Sequence, residues 1–196
     1  PLFEHLPVRE EAPRVVGILE TGKLPTDEIC QRVAEACRVA PDQVTLLAAR
    51  TASLAGTVQI VARSVETALH KLHELGYDLT RVASGFGSAP LPPVAADDLA
   101  GIGRTNDAVL YGCEATLWVR DDDAALEQIG PQVPSCASRD FGAPFAEVFE
   151  RYGRDFYKID PLLFSPARVT FMNLASGRTH HFGDLRPDIL LPTWAS

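Results

Sequence analysis

Apolar residues return at three- and four-residue steps through "TASLAGTVQIVARSVETALHKLHELGYD", where Val58, Val61, Val65, Leu69, Leu72 and Leu75 line up and Gly76 stands where a left-handed C-terminal cap belongs. The spacing predicts a helix from Val58 to Leu75 with its apolar face in the core. Upstream, "KLPTDEICQRVAEACRVAP" predicts a helix capped near Thr26, with Asp27 and Glu28 in the first turn, Ile29, Val33, Ala36 and Cys37 as its apolar stripe, and a stop before Pro41. "DQVTLLAAR" is rich enough in Val and Leu for a buried strand.

Past Gly76 the pattern changes. A short strand is expected around Arg81 to Ala83, then a loop through "SGFGSAPLPPVAADD", whose glycines and prolines interrupt any element. Asp97 or Asp98 can cap a helical turn through Ile102, after which "DAVLYGCEATLWV" reads as a long strand. "DDDAALEQI" opens a helix with its acids at the favourable end, and "APFAEVFERYG" repeats that logic with Phe145, Val148, Phe149 and Tyr152 on one face. "RVTFMNLASGRTHHF" predicts two strands joined by a turn at Ser176 and Gly177. Helices and strands alternate without a repeat, so the fold class is α/β, or mixed α+β, with a first domain over residues 1–120 and a second α+β portion over 121–196 packed against it.

The 196 residues carry a net charge of -8. That balance argues against a phosphate-backbone binder, whose affinity rests on Lys and Arg, and favours a small-molecule or protein partner. No run approaches the roughly 18 apolar residues of a membrane span, so a cytoplasmic protein with no membrane or nucleic-acid partner is expected. Cys30, Cys37, Cys113 and Cys136 form no CxxC pair, which leaves reduced structural thiols as the expectation. Cys30 and Cys37, seven apart, are expected on one buried helix face. The chain opens on Pro1 and its single methionine is Met172, so the sequence reads as beginning inside a longer translated chain.

Small and polar residues gather at predicted element ends in "RTASLAGT", "SGFGSAP" and "IGRTNDAVLYG". Thr51 and Ser53 in the first could seat an anion on free helix amides, although plain capping explains them better. The glycines of the second, Gly85 among them, match no nucleotide fingerprint and suit a tight turn. His70 and His73 fall on the polar side of their helix, and His180 and His181 point to opposite faces of a strand, so no metal site is expected. Arg104 and Asp107 differ in kind. A surface salt bridge is the simple explanation, yet Gly103 and an apolar stretch flank them, and a partly buried carboxylate beside a guanidinium can be tuned to take a proton from water.

The ordered stretches "GILETGKLPT", "TASLAGTVQIVARSVETALHKLHELGYD", "SGFGSAPLPPVAADDL", "GRTNDAVLYG", "PSCASRDFGAPF" and "YGRDFYKIDPLLFSPARV" make the chain similar to the methenyltetrahydromethanopterin cyclohydrolases of one-carbon metabolism in methanogens and methylotrophic bacteria. The resemblance covers the C-terminal three-fifths of that family's longer chains, so it implies that an N-terminal portion is missing here. It further implies a two-domain α/β fold assembled as a homotrimer. The reaction it implies is hydrolysis of N5,N10-methenyltetrahydromethanopterin to the N5-formyl product, with no metal, nucleotide or redox cofactor. The family's arginine and the carboxylate three residues later align with Arg104 and Asp107; archaeal members carry glutamate, one methylene longer. By the same resemblance Asp107 is the general base and Arg104 tunes it, with Asn106 and Tyr111 lining the cleft. Thr51, Ser53, Gly85, Ser138, Arg139 and Lys158 are expected to touch the pterin or its tail, although Lys158 and Asp160 could equally form a structural ion pair. The alternatives are a truncated relative that keeps pterin binding or an oligomer surface without catalysis, and a thiol hydrolase using Cys113 or Cys136.

Overall fold

The computed structural model describes residues 11–195, and the chain divides into two compact units, Pro1–Arg50 and Thr51–Ser196. In the first unit, β1 (Val15–Glu20) and β2 (Val44–Ala49) pair in parallel, with Val15 opposite Val44 and Glu20 opposite Ala49. Helix α1 (Asp27–Cys37) makes the crossover. Thr26 caps it as expected, its side chain accepting from the Ile29 amide at 3.4 Å. The apolar stripe is a correction: within this unit Ile29, Ala36 and Cys37 are exposed, Val33 and Cys30 are half-buried, and Ala34 is the buried residue of the helix. A two-stranded sheet offers too little surface to cover a helix face. β1 itself was not anticipated.

The second unit holds a four-stranded sheet in the order β3 (Val82–Ser88), β4 (Glu114–Val119), β5 (Arg168–Asn173), β6 (Thr179–Gly183). The outer pairs are antiparallel and β4 pairs with β5 in parallel. The division between units therefore falls after Arg50 and not near residue 120, where a cut would part β4 from the β5 strand bonded to it. Ala115, Leu117, Val119, Val169 and Phe171 alternate onto the buried face, and the strand pair at the end of the chain turns at Gly177 with φ +75°.

The predicted helix over Val58 to Leu75 is two helices, α2 (Leu54–Val61) and α3 (Ser64–Glu74), because Arg63, with φ -86° and ψ 23°, departs from helical geometry between them. α3 packs on β3 and β4, with Ala68 and Leu72 in the core beneath the sheet, and Gly76 takes the left-handed cap at φ +76°. β3 is longer than expected and includes Gly85 and Gly87. Those glycines serve contact rather than turning: a Cβ on Gly87 would lie 2.5 Å from Ser64 Cβ, so their absence lets α3 lie against the strand.

The largest correction concerns α4 (Asp98–Gly112), which runs straight through the segment read as strand; the strand begins only at Glu114. Asp97 caps it, accepting from Ala100 N at 2.9 Å. Gly101, Gly103, Thr105 and every residue from 107 to 111 are buried, since α2, α6 (Phe145–Arg151) and α7 (Pro187–Ala195) pack around it. A helix enclosed on nearly all sides has no polar face, and a short apolar run without that period cannot be told from a strand. The remaining helix, α5 (Asp123–Ile129), starts at its acids as predicted. Among the described residues no helix is long and apolar enough to cross a membrane.

Candidate active site

Arg104 and Asp107 sit one turn apart on α4 and line the same cavity, of about 550 Å³, with Gly103, Glu147 of α6, and Asp188 and Thr193 of α7 also on its wall. Gly103 brings α6 close, since a Cβ there would lie 3.3 Å from that of Ala146. Tyr111, at the end of α4, accepts the Arg186 amide on its carbonyl at 2.8 Å, which fixes the start of α7.

Asp107 is 1% exposed. Its Oδ1 accepts from the Phe145 amide at 2.7 Å, in the first turn of α6, and the Thr193 hydroxyl also bonds the carboxylate. Burial pushes its pKa up to about 6; the Phe145 and Thr193 bonds oppose that rise and Glu147 adds to it. The result is a desolvated, oriented carboxylate that is ionised at neutral pH and ready to take a proton. Three carboxylates and one guanidinium line the cavity, with Asp188 bound by Arg186 at 2.9 and 2.7 Å. That charge favours a cationic occupant.

The structure does not bring the other predicted residues to this cavity. Asn106 points off a different face of α4, donates to Ile102 O at 2.9 Å, and lines a second cavity with Val109, Phe156 and Phe164. Tyr111 is fully buried, with its hydroxyl donating to Ala143 O at 2.6 Å, so as placed here it is a core residue and does not line the cleft. Ser53 caps α2 by accepting from Gly56 N at 3.0 Å, and Thr51 is buried against Gly101. Gly85 is a packing glycine under Val65. Ser138 donates to Asp160 at 2.9 Å, Arg139 lies 4.0 Å from Asp140, and Lys158 pairs with Asp155 at 3.4 Å instead of Asp160.

Sequence reasoning missed Phe145 N–H, Glu147, Asp188 and Thr193, which come from segments far along the chain and carry no signal of their own. It also missed Lys71, although Ala68, Lys71, Leu72 and Leu75 mark the buried face of α3 by their spacing. Lys71 is fully buried and donates to the Leu162 carbonyl; burial lowers its pKa to about 8, against the pull of Asp160. Burial likewise pushes the Cys113 thiol up to about 11, which makes it a poor nucleophile. Among the described residues no group of three or more His, Cys, Asp or Glu is placed to hold a metal.

A family model described as Cyclohydrolase (MCH) matches residues 1–194. The chain is 51% identical over 177 residues to a methenyltetrahydromethanopterin cyclohydrolase of Rhodopirellula baltica, covering 89% of this chain and 53% of that one. A protein of the same name from Methylobacterium sp. (strain 4-46) is 46% identical over 99% of this chain and 60% of its own. Another, from Methanococcoides burtonii, is 42% identical over 98% of this chain and 61% of its own. The chain thus spans between about half and three-fifths of the length of these relatives.

Proposed function

Because the chain belongs to the Cyclohydrolase (MCH) family, we propose that it carries the Arg104 and Asp107 portion of a hydrolytic site and that the complete polypeptide hydrolyses N5,N10-methenyltetrahydromethanopterin to the N5-formyl product. The observation that carries the reading is Asp107: buried, held by Phe145 N–H, and with a pKa near 6 on the wall of an acidic cavity. The substrate is an amidinium cation, which such a cavity attracts, and its bridging carbon is electrophilic without further activation.

Water adds to that carbon while Asp107 takes its proton, giving a neutral adduct in which the carbon holds a hydroxyl between two nitrogens. The bond to N10 then breaks. N10 takes up a proton as the hydroxyl loses its own, the carbonyl forms on N5, and one proton is released overall. Arg104 is not among the groups that shift the Asp107 carboxyl, so in place of the tuning role expected from the sequence it stabilises the charge that builds on the oxygen as the adduct collapses. No metal or redox cofactor takes part in this scheme. The same reading makes the protein a cytoplasmic homotrimer with a pterin as its partner.

The other reading is a relative that binds the pterin without turning it over. The experiment follows loss of the methenyl absorbance by the complete natural polypeptide and its Asp107→Asn variant. General-base assistance is worth about a hundred- to ten-thousandfold, so the variant should lose that much rate while still binding substrate. Turnover equal to wild type rejects Asp107 as the base; binding without turnover by the wild type establishes the second reading.

A further inference from the structure

Thr193 lies on the wall of the Asp107 cavity, and its hydroxyl has two acceptors in reach. The Leu190 carbonyl stands 2.8 Å away, one turn back on α7, and the Asp107 carboxylate shares a side-chain hydrogen bond with it. A threonine hydroxyl has one proton to donate and two lone pairs to accept with. An ionised carboxylate can only accept, so Thr193 must then turn its proton to Asp107 and release the Leu190 carbonyl. A protonated Asp107 can donate to Thr193 Oγ1, which leaves the hydroxyl proton for Leu190.

We infer that Thr193 is a positioning residue for Asp107, its hydroxyl changing direction each time the carboxyl gains or loses its proton, so that the acid is held in one orientation in both states. The inference rests on the reading of Asp107 as general base. Phe145 N–H fixes one oxygen and cannot reverse, because an amide only donates. Thr193 is the partner able to follow the proton. The other charged or titratable groups about the carboxyl are Arg104 and Tyr111 of its own helix, Glu147 of α6, and Asp188 with Arg186 at α7. The test therefore follows the Asp107 carboxyl itself.

The test compares Thr193→Val, which keeps the shape and removes the hydroxyl, with Thr193→Ser, which restores it, in the complete natural polypeptide. Two quantities are read: the acid limb of the pH–rate profile for the methenyl substrate, and the Asp107 carboxyl titration by infrared difference against Asp107→Asn. A hydrogen bond to a charged group corresponds to about one to two pH units. Thr193→Val should therefore move both midpoints up by about that much and cut the rate at pH 7 by about two- to tenfold, with the rate recovering at higher pH. Thr193→Ser should return both to the wild-type position.

An infrared midpoint unmoved by Thr193→Val overturns the inference, as does a uniform loss of rate at every pH with Thr193→Ser equally impaired. If the infrared midpoint moves and the rate profile does not, the positioning role stands and the general-base reading falls. Should Thr193→Val fail to fold, Thr193→Ala takes its place in the same comparison.

Discussion

The backbone amide of Phe145 donates to Oδ1 of Asp107 across 2.7 Å, joining the middle of α4 to the first turn of α6. Pro144, the residue at the cap position of α6, makes no side-chain cap of its own. Asp107 thus does two things with one group: it satisfies a helix amide that would otherwise be unpaired, and it presents a desolvated carboxylate to the cavity. The first role needs only an oxygen. The second needs the charge.

That separation predicts a stability gain for Asp107→Asn with a defined dependence on pH. The folded pKa lies above the ordinary carboxylate value, so the contribution of this group to stability is fully present below about pH 4 and lost as pH rises through about 6. An asparagine keeps an acceptor for Phe145 N–H and never ionises. Relative to wild type, the variant should gain up to about 3 kcal/mol between pH 4 and pH 8, at about 1.4 kcal/mol per pH unit. Urea unfolding at the two pH values measures this, and an equal difference at both would show that Asp107 titrates normally.

Gly87 tests the contact between β3 and α3. A Cβ there would stand 2.5 Å from Ser64 Cβ, and Ser64 is the buried first residue of α3, so neither side can yield by rotating a flexible chain. Gly87→Ala should cost about 1–3 kcal/mol, the range for overpacking a filled interface. A denaturation midpoint unchanged by the substitution would mean that the helix does not lie against the strand.

Gly87 also shows where the sequence misleads. In "SGFGSAP" the glycines read as a turn, since nothing local reveals that a helix from twenty residues upstream needs the room. Period-bearing elements were legible: the Thr26 cap, the Gly76 cap, the turn at Gly177 and the acidic start of α5 all follow from local chemistry. The segment from Asp107 to Gly112 was not, because a helix buried on nearly every side loses the polar face that would mark its period. The Arg104 and Asp107 pair was visible as a polar interruption in an apolar stretch. Their partners were not, because Glu147, Asp188 and Thr193 reach the cavity through tertiary packing of α6 and α7.

Lys71 gives the last prediction. It is fully buried on α3, its ammonium donates to the Leu162 carbonyl, and burial brings its pKa down to about 8 despite the nearby Asp160. For a group whose folded pKa is depressed, the stabilising contribution is present above the unfolded value, near 10.5, and lost as pH falls through the folded one. Wild type should therefore gain stability relative to a variant without the amine as pH rises from 8 to 10.5. Lys71→Met preserves the length and apolar stem of the side chain and removes the titrating group. The wild-type advantage over this variant should grow by about 1.4 kcal/mol per pH unit, to roughly 3 kcal/mol across the window. Below pH 8 the difference should be flat, since the amine is then charged in both folded and unfolded chains. Chemical denaturation of both proteins between pH 7 and pH 10.5 reads the slope directly. A flat difference across the whole range would place the Lys71 ammonium in water rather than under the 162 carbonyl.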